Sequence, residues 1–471
     1  MKISGKSISR FGCVSMALAA ILSISGCGGT NTSSDEPAKG DEIVFWTPHV
    51  TPARVKVQER VAQDFEDKTG IKVKVVPMSA ADMNQAIVSN AAAGELPDVA
   101  LLGPDQVASW NAQGLVDTDA ARKVIDELGR DTFSDTAMQL VEIDGEPAAV
   151  PSDGWGELLY YRTDIFEQLG LEAPQSVDDV VAAAETIESA DIGIAGIVLG
   201  TQPANAMAEE NFEHIGLASG CKMFNDAGEV DLESDACVQA TAAFQELANA
   251  SVSGDQDVDS TRAAYLAGQA AMVLWSPHLL DEIANLEPNF PVSAPGVEDD
   301  PLFLAKNTGV VGGLTGVHNT NPTGMGLTMN ISVMHGADAD AAVAYAQYLL
   351  TDGYIDSLSM TPEGRIPVRA GNTPGSSEYI DAWADLKTGV DDSHKLALSE
   401  AFSSDVVQEV SQAANSFTRW GFGTEHWATA GAVTTQTALV NDLGKLLNGQ
   451  DPAEYAASIA ENVRSLQEEN E

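Results

Sequence analysis

Between Ile43 and Leu102 the chain alternates short apolar runs with stretches of helical spacing, and that alternation admits few folds. Ile43 to Thr47 is a short apolar strand ending in Trp46-Thr47-Pro48-His49. Pro52 suits a first helical turn, and Val57, Val61 and Phe65 recur at helical spacing until Gly70 stops the segment. Ile71, Val73 and Val75 then alternate with Lys72 and Lys74, a strand pattern. A second helix is predicted from about Asp82 to Ala93, and Gly94-Glu95-Leu96-Pro97-Asp98-Val99-Ala100-Leu101-Leu102 reads as helix stop, turn and buried strand. Strand, helix, strand, helix, strand at this pace predicts an open α/β sheet. With 471 residues, 44% of them apolar, two to three domains with real cores are expected.

Upstream of this unit, Lys2, Lys6 and Arg10 precede an uncharged run from Phe11 to Ile24, too short and wrongly flanked for a stable membrane span. The run ends in Ile24-Ser25-Gly26-Cys27, which resembles a bacterial lipobox, whose cysteine takes a diacylglycerol and becomes the first mature residue. The alternatives are an ordinary secretory signal that contains a cysteine, or a short N-terminal anchor. Residues 27–40 are polar and unpackable, as a flexible tether would be. Residues 1–26 are therefore expected to be a lipoprotein signal peptide, with Cys27 lipidated and the remainder extracytoplasmic. The lipid would be the only membrane anchor, since no second run is long enough to cross a bilayer.

The formal charge is −46, and loss of residues 1–26 removes three cations and no acids, leaving it near −49. Such a surface repels phosphate backbones and argues against nucleic acid as a partner. It keeps a chain soluble, fits a high-salt habitat, and says nothing of fold. With Cys13 lost with the signal and Cys27 spent on lipid, Cys221 and Cys237 remain. An even pair in an oxidising compartment reads as one disulfide, with two free buried thiols as the alternative.

Farther along, Ile192 to Leu199 reads as a glycine-punctuated buried strand, and Phe224 to Val230 as a hairpin turn. Ser234 is a candidate cap for a helix whose first turn carries Cys237. Residues 307–330 are rich in Gly, Thr and Asn and are expected to be loop and turn around short strands, near a cleft. Ala337 to Leu350 is predicted as an alanine-rich helix packed through Val343, Tyr345, Tyr348 and Leu349.

Several motifs then carry a resemblance. The lipobox, a first strand ending in Phe45-Trp46, the helix end Phe65-Glu66-Asp67-Lys68-Thr69-Gly70 and Gly94-x-x-Pro97-Asp98-Val99 resemble extracellular solute-binding proteins of sugar ABC transporters. So do Val150-Pro151 leading to Leu159-Tyr160-Tyr161-Arg162-Thr163-Asp164-Ile165-Phe166, and Tyr265-x-x-Gly268-Gln269-Ala270-Ala271-Met272 with Trp275. Arg162-Thr163 stands where that family usually has Asn-Lys. The resemblance, which extends to maltose-binding-type proteins, implies an α/β, two-lobed periplasmic-binding-protein-like fold of type II with three interlobe crossings. Lobe one is expected at about 41–150 plus 308–363, and lobe two at about 151–307 plus 364–471, with Gly364 to Arg369 as the last crossing.

No catalytic template is present: no nucleophile elbow, no His-Glu-x-x-His, no phosphate loop and no Cys-x-x-Cys. Seven scattered histidines lack ligand spacing, and seventy acids make chance carboxylate pairs inevitable. Neither a catalytic residue, a metal site nor a cofactor is expected. Sugar rings stack C–H faces on aromatic side chains, while their hydroxyls need carboxylates, amides and Arg. The resemblance places Trp46, Trp155, Trp275, Trp420 and Trp427 in cleft segments, with core or lobe packing as the alternative for each, and Asp105 where the family often carries a sugar-binding carboxylate, with a solvated loop acid as the alternative. Trp110 and Trp383 fall inside helical patterns and are read as packing. Arg365 and Arg369 could hold a ligand hydroxyl or form a structural ion pair. The expected function is capture of a sugar or oligosaccharide and its delivery to ABC permease subunits by a lipid-anchored monomer. A polyamine, peptide or glycerol phosphate ligand is the alternative, and an exported glycan hydrolase is a rival of another class.

Overall fold

The computed structural model describes residues 42–143, 145–389, 394–422 and 424–470. The expected signal peptide 1–26, the tether 27–40 and Cys27 lie outside these residues. Strand β1 (Glu42–Thr47) lies between β2 (Lys72–Pro77) and β3 (Val99–Leu102), parallel to both. Helix α1 (Pro52–Thr69) carries the chain from β1 to β2, and α2 (Ala80–Ala93) from β2 to β3. Pro52 sits in the first turn of α1, where a missing N–H costs nothing. Gly70 ends that helix at φ +77°, a left-handed conformation that suits glycine. Ser79 caps α2 by accepting from the Asp82 N–H at 3.1 Å. Ile43, Phe45 and Trp46 are all buried, the pattern of a strand covered on both faces.

The Pro97-Asp98-Val99 motif has a structural role. The Asp98 carboxylate accepts from the Val44 N–H at 2.8 Å and from the Asp338 N–H at 3.2 Å. It thereby ties the edge of β3 to β1 and to the cap of the helix Ala339–Leu349, whose Tyr345 packs on Phe45 and Phe65 at centroid distances of 5.5 and 5.1 Å.

Helix α3 (Pro104–Ala112) follows β3. The large sheet then gains β4 (Val150–Gly156), and a small sheet begins one residue later with β5 (Leu158–Arg162). Glu157 alone separates them. Helices α4 (Ala206–Ser219) and α5 (Asp235–Asn249) precede β6 (Met272–Trp275) and β7 (Thr308–Val311), which flank β5 in the antiparallel order β6-β5-β7. The chain returns to the large sheet with β8 (Asn319–Val333) and β9 (Ile366–Pro367), giving the path β9-β4-β8-β3-β1-β2. Strand β8 runs antiparallel to both β3 and β4. Helices α6 (Trp427–Gln436) and α7 (Pro452–Asn470) close the chain.

Two sequence expectations are corrected. Residues 319–333 form the longest strand described, not loop and turn. Its glycines are there for contact: a Cβ on Gly326 would lie 2.4 Å from Phe417, and one on Gly324 3.0 Å from the Gly312 carbonyl. Ile192 to Leu199 is not a regular strand but touches its neighbours through single bridges, Ala195 with Ala270, Ile197 with Ser251 and Val198 with Val273. Gly193 at φ +83° and Gly196, which lies against Ala184, keep it from pairing continuously.

The hairpin closes with a bridge between Phe224 and Val230, and a disulfide joins Cys221 to Cys237 on the first turn of α5. Ser234 occupies the cap position there, but its hydroxyl makes no capping bond.

The seam between β4 and β8 leaves no room for a side chain at Gly156, where a Cβ would lie 2.4 Å from the Met325 carbonyl and 2.8 Å from Phe417. Gly156→Ala is expected to destabilise by about 1–3 kcal/mol, the usual cost of overpacking. Gly431 lies in α6 with open space around its Cα, so Gly431→Ala should stabilise by about 0.5–1 kcal/mol. Denaturant unfolding of both variants checks this; equal effects of one sign would mean the seam adjusts freely.

Candidate functional site

Strand ends, the α4 helix and the C-terminal segment meet around a series of connected cavities. The first, of about 630 Å³, is lined by Asn84, Val88 and Asp105 of α2 and α3. Arg419, Trp427 and Thr434 also line it, with Trp155 and Glu210 completing its wall. A second cavity of about 410 Å³ shares Trp155 and Glu210 and is completed by His49, Arg54, Glu157, Trp275 and Arg365. A third, of about 780 Å³, shares Arg419 and Trp427 with the first and reaches Lys222, Phe224 and His426. The three form a groove with aromatic rings and charged groups at both junctions.

The predicted residues divide between wall and core. Trp155, in register with Leu327 of β8, is half-buried and lies in both of the first two cavities. Trp427 opens α6 and borders the first and third. Asp105, exposed in the first turn of α3, shares the first cavity with them. Trp275 is paired with Leu158 and is 7% exposed, but it borders the second cavity. Trp46 and Trp420 are placed differently. Trp46 is buried in the core beside Val76 and Ala100 and is not among the residues bordering the three cavities. Trp420 is buried with its ring against Gly216 and its indole N–H donated to the Cys221 carbonyl at 2.8 Å, so it supports the floor of the third cavity. Trp110 and Trp383 are buried, as helical spacing implies.

Arg365 donates to both oxygens of buried Asp153 and to the Ser357 carbonyl at 2.6 Å. It is an internal ion pair that borders the second cavity. Arg369 is fully buried between Phe133 and Tyr379 and donates to Thr132 at 3.1 Å, which makes it structural.

Sequence reasoning passed over the acids of α4. Glu209, Glu210 and Glu213 look like a solvated helix face, because the cation that pairs with Glu213 lies some two hundred residues away. The Glu213 carboxylate accepts from Arg419 Nε at 2.9 Å and Nη2 at 2.8 Å, and from the Trp420 N–H at 2.8 Å, all buried. Glu209 accepts from the Leu439 N–H at 3.3 Å. Burial, and secondarily the Glu213 charge, push Glu209 up to about 8. Burial holds Glu157 well above the usual carboxylate range although Asn211 donates to it. His214, buried beside it, is pushed down to about 4 and is neutral, with its Nδ1 accepting from the Met325 N–H at 3.2 Å. His49 is driven down to about 2 by burial and by Arg365 and Arg54. Among the described residues, no group of three or more His, Cys, Asp or Glu side chains is placed to hold a metal ion.

Such a groove can hold a polar ligand between aromatic faces. A sequence profile of the bacterial extracellular solute-binding protein family matches residues 60–388. The chain belongs to that family. It is 25% identical over 357 residues to YcjN of Escherichia coli (strain K12), which carries the name of an ABC transporter periplasmic-binding protein, covering 75% of this chain and 77% of that one. It is 23% identical to the galactooligosaccharide-binding protein of Bacillus subtilis (strain 168), over 59% of this chain and 66% of the relative. The crystal structure of the cyclic α-maltosyl-1,6-maltose binding protein of Arthrobacter globiformis superposes with a TM-score of 0.68 at 17% identity, over 91% of this chain and 99% of that one. The fold of this solute-binding protein is thus the two-lobed α/β fold of its structural neighbours, and the family places it outside the cytoplasm.

The raised carboxylates have a consequence for stability. Glu209 and Glu157 keep their protons in the folded chain to higher pH than the ordinary carboxylate value near 4.5. The unfolded chain gives them up first, so stability falls as pH rises from about 4.5 toward 8. Melting temperature is expected to drop between pH 5 and pH 8, with Glu209→Gln flattening part of the slope. A melting temperature that climbs over this range would mean that these carboxylates are ionised in the fold.

Proposed function

We propose that this solute-binding protein captures a sugar or oligosaccharide in the groove and delivers it to the permease of an ABC transporter. The observation that carries the reading is the pairing of Trp155 and Trp427 with the carboxylate of Asp105 around one cavity of about 630 Å³. Aromatic faces accept the C–H faces of sugar rings, and carboxylates accept from hydroxyls. The sugar-binding relatives and the maltose-type ligands of structural neighbours support the same substrate class. Ligand would favour the closed arrangement of the lobes, since contacts to both exist only there. The chain acts by binding and release, as its family does, with no chemistry on the sugar. Trp275 contributes from the second cavity, while Trp46 and Trp420 hold the walls. The chain works as a monomer, tethered outside the cell membrane by lipid on Cys27.

Two outcomes test this. Trp155→Ala and Trp427→Ala should each weaken oligosaccharide binding tenfold or more in calorimetry with little change in melting temperature. Trp46→Ala should instead lower stability by roughly 3–5 kcal/mol. Normal sugar affinity in both wall variants, or binding of spermidine or a peptide in place of any sugar, would overturn the assignment. Separately, Cys27→Ala should release the protein from the membrane fraction or leave it unprocessed. A variant that is cleaved normally and remains in the membrane would exclude a lipid anchor.

A further inference from the structure

Glu210 stands apart from the other acids of α4. Its neighbours on the helix are answered, Glu213 by Arg419 and Glu209 by the Leu439 N–H. The Glu210 carboxylate makes no hydrogen bond or ion pair with any described residue, yet Glu210 is half-buried and borders both the first and the second cavity beside Trp155. A carboxylate that is partly stripped of water and given no donor by its own fold is an acceptor awaiting one.

We propose that Glu210 is the proton-linked acceptor for ligand hydroxyls at the junction of the two cavities, so that ligand is held at neutral pH and released on acidification. This rests on the carbohydrate reading and adds a specificity residue and a regulating proton to it. A ligand entering beside Trp155 displaces the remaining water from this carboxylate. Only a ligand that supplies O–H donors there compensates the loss, and a deoxy or O-methylated analogue leaves the acceptor bare.

The groups facing Glu210 set its response. Glu209 and Glu213 share its helix, Glu157 and Asp153 come from the strand junction, and Arg419 comes from the C-terminal segment. Asp105 borders the first cavity, and His49, Arg54, His278 and Arg365 border the second. Asp153 is neutralised by Arg365, and His49 stays uncharged through the range of interest. Burial pushes Glu210 up to about 6, opposed by the Arg419 charge and reinforced by Glu213. Hydroxyl donors stabilise the ionised form and lower its pKa in the complex. Affinity is therefore fully present above about pH 6 and falls as pH drops below that value.

The test is calorimetric titration from pH 5 to pH 8 of the full chain and of Glu210→Gln, using whichever of glucose, maltotetraose, cellotetraose and galactotriose binds at pH 8. The wild-type protein should bind roughly tenfold more weakly at pH 5 than at pH 7. Glu210→Gln should bind roughly ten- to a hundredfold more weakly at pH 7, with a flat pH profile. Its melting temperature should be unchanged or raised, because the carboxylate holds nothing in the fold; Glu213→Gln, which breaks the Arg419 pair, should melt earlier. Parallel pH slopes in wild type and Glu210→Gln, or equal affinities at pH 7, overturn the role of Glu210 while leaving carbohydrate capture intact. Absence of binding by all four sugars overturns the carbohydrate reading and this inference with it.

Discussion

The buried pair between Glu213 and Arg419 is the interaction on which the groove depends. The chain carries 24 cations against 70 acids, and Arg419 is one of those the fold buries, with 9% of its surface exposed. Taking both charges out of water is expensive, and their attraction compensates only because the remaining lone pairs are satisfied as well. Here the same carboxylate receives the Trp420 N–H, and Arg419 also reaches Thr434 at 3.3 Å. Removing one partner of such a pair typically costs about 3–5 kcal/mol, since the other is left buried and uncompensated. The pair fastens Arg419 and, through Thr434, helix α6 to α4, and so fixes where Trp420 packs and where Trp427 opens. The positions of Glu209 and Glu210 follow from the same helix being held in that register.

A second constraint is the contact between β4 and β8. These strands have glycines where their backbones meet the Phe417 ring, and only one residue, Glu157, lies between the large sheet and the small one. Without side chains at Gly154, Gly156 and Gly326 the ring covers the backbone directly. Trp155 extends from the middle of this seam, so its placement is set by backbone pairing on both sides of it. A binding residue on a paired strand is held more firmly than one on a loop.

How much of this was legible in the sequence depends on range. The first βαβαβ unit was readable because periodicity, Pro52, Gly70 and the Pro97-Asp98 turn all act within a few residues of one another. The helix Ala339–Leu349 and the Phe224 hairpin were readable for the same reason. Strand β8 was not, because Gly and Thr ordinarily signal turns, and its glycines answer to Phe417 and Gly312 far along the chain. The tryptophans divided similarly. Trp155 and Trp427 border the groove, whereas Trp46 and Trp420 were drawn inward by sheet burial and by the Cys221 carbonyl. The acids of α4 were the least legible. Nothing near Glu209, Glu210 and Glu213 shows that only one of the three lacks a partner.

The groove is also assembled from widely separated parts of the chain, with α2 and α3 early, Trp155 and Glu210 in the middle, and Arg419 to Thr435 near the end. This has a consequence in time. Chains are made, and exported proteins threaded, from the N-terminus onward, and domains consolidate as their residues emerge. All the strands named above except β9 can pair before the last quarter of the polypeptide appears, but the groove then lacks Arg419, Trp427 and the rest of its C-terminal lining. On the proposed reading of the groove, a nascent chain passes through synthesis and export blind to its solute, and gains recognition only once the last helices have folded back.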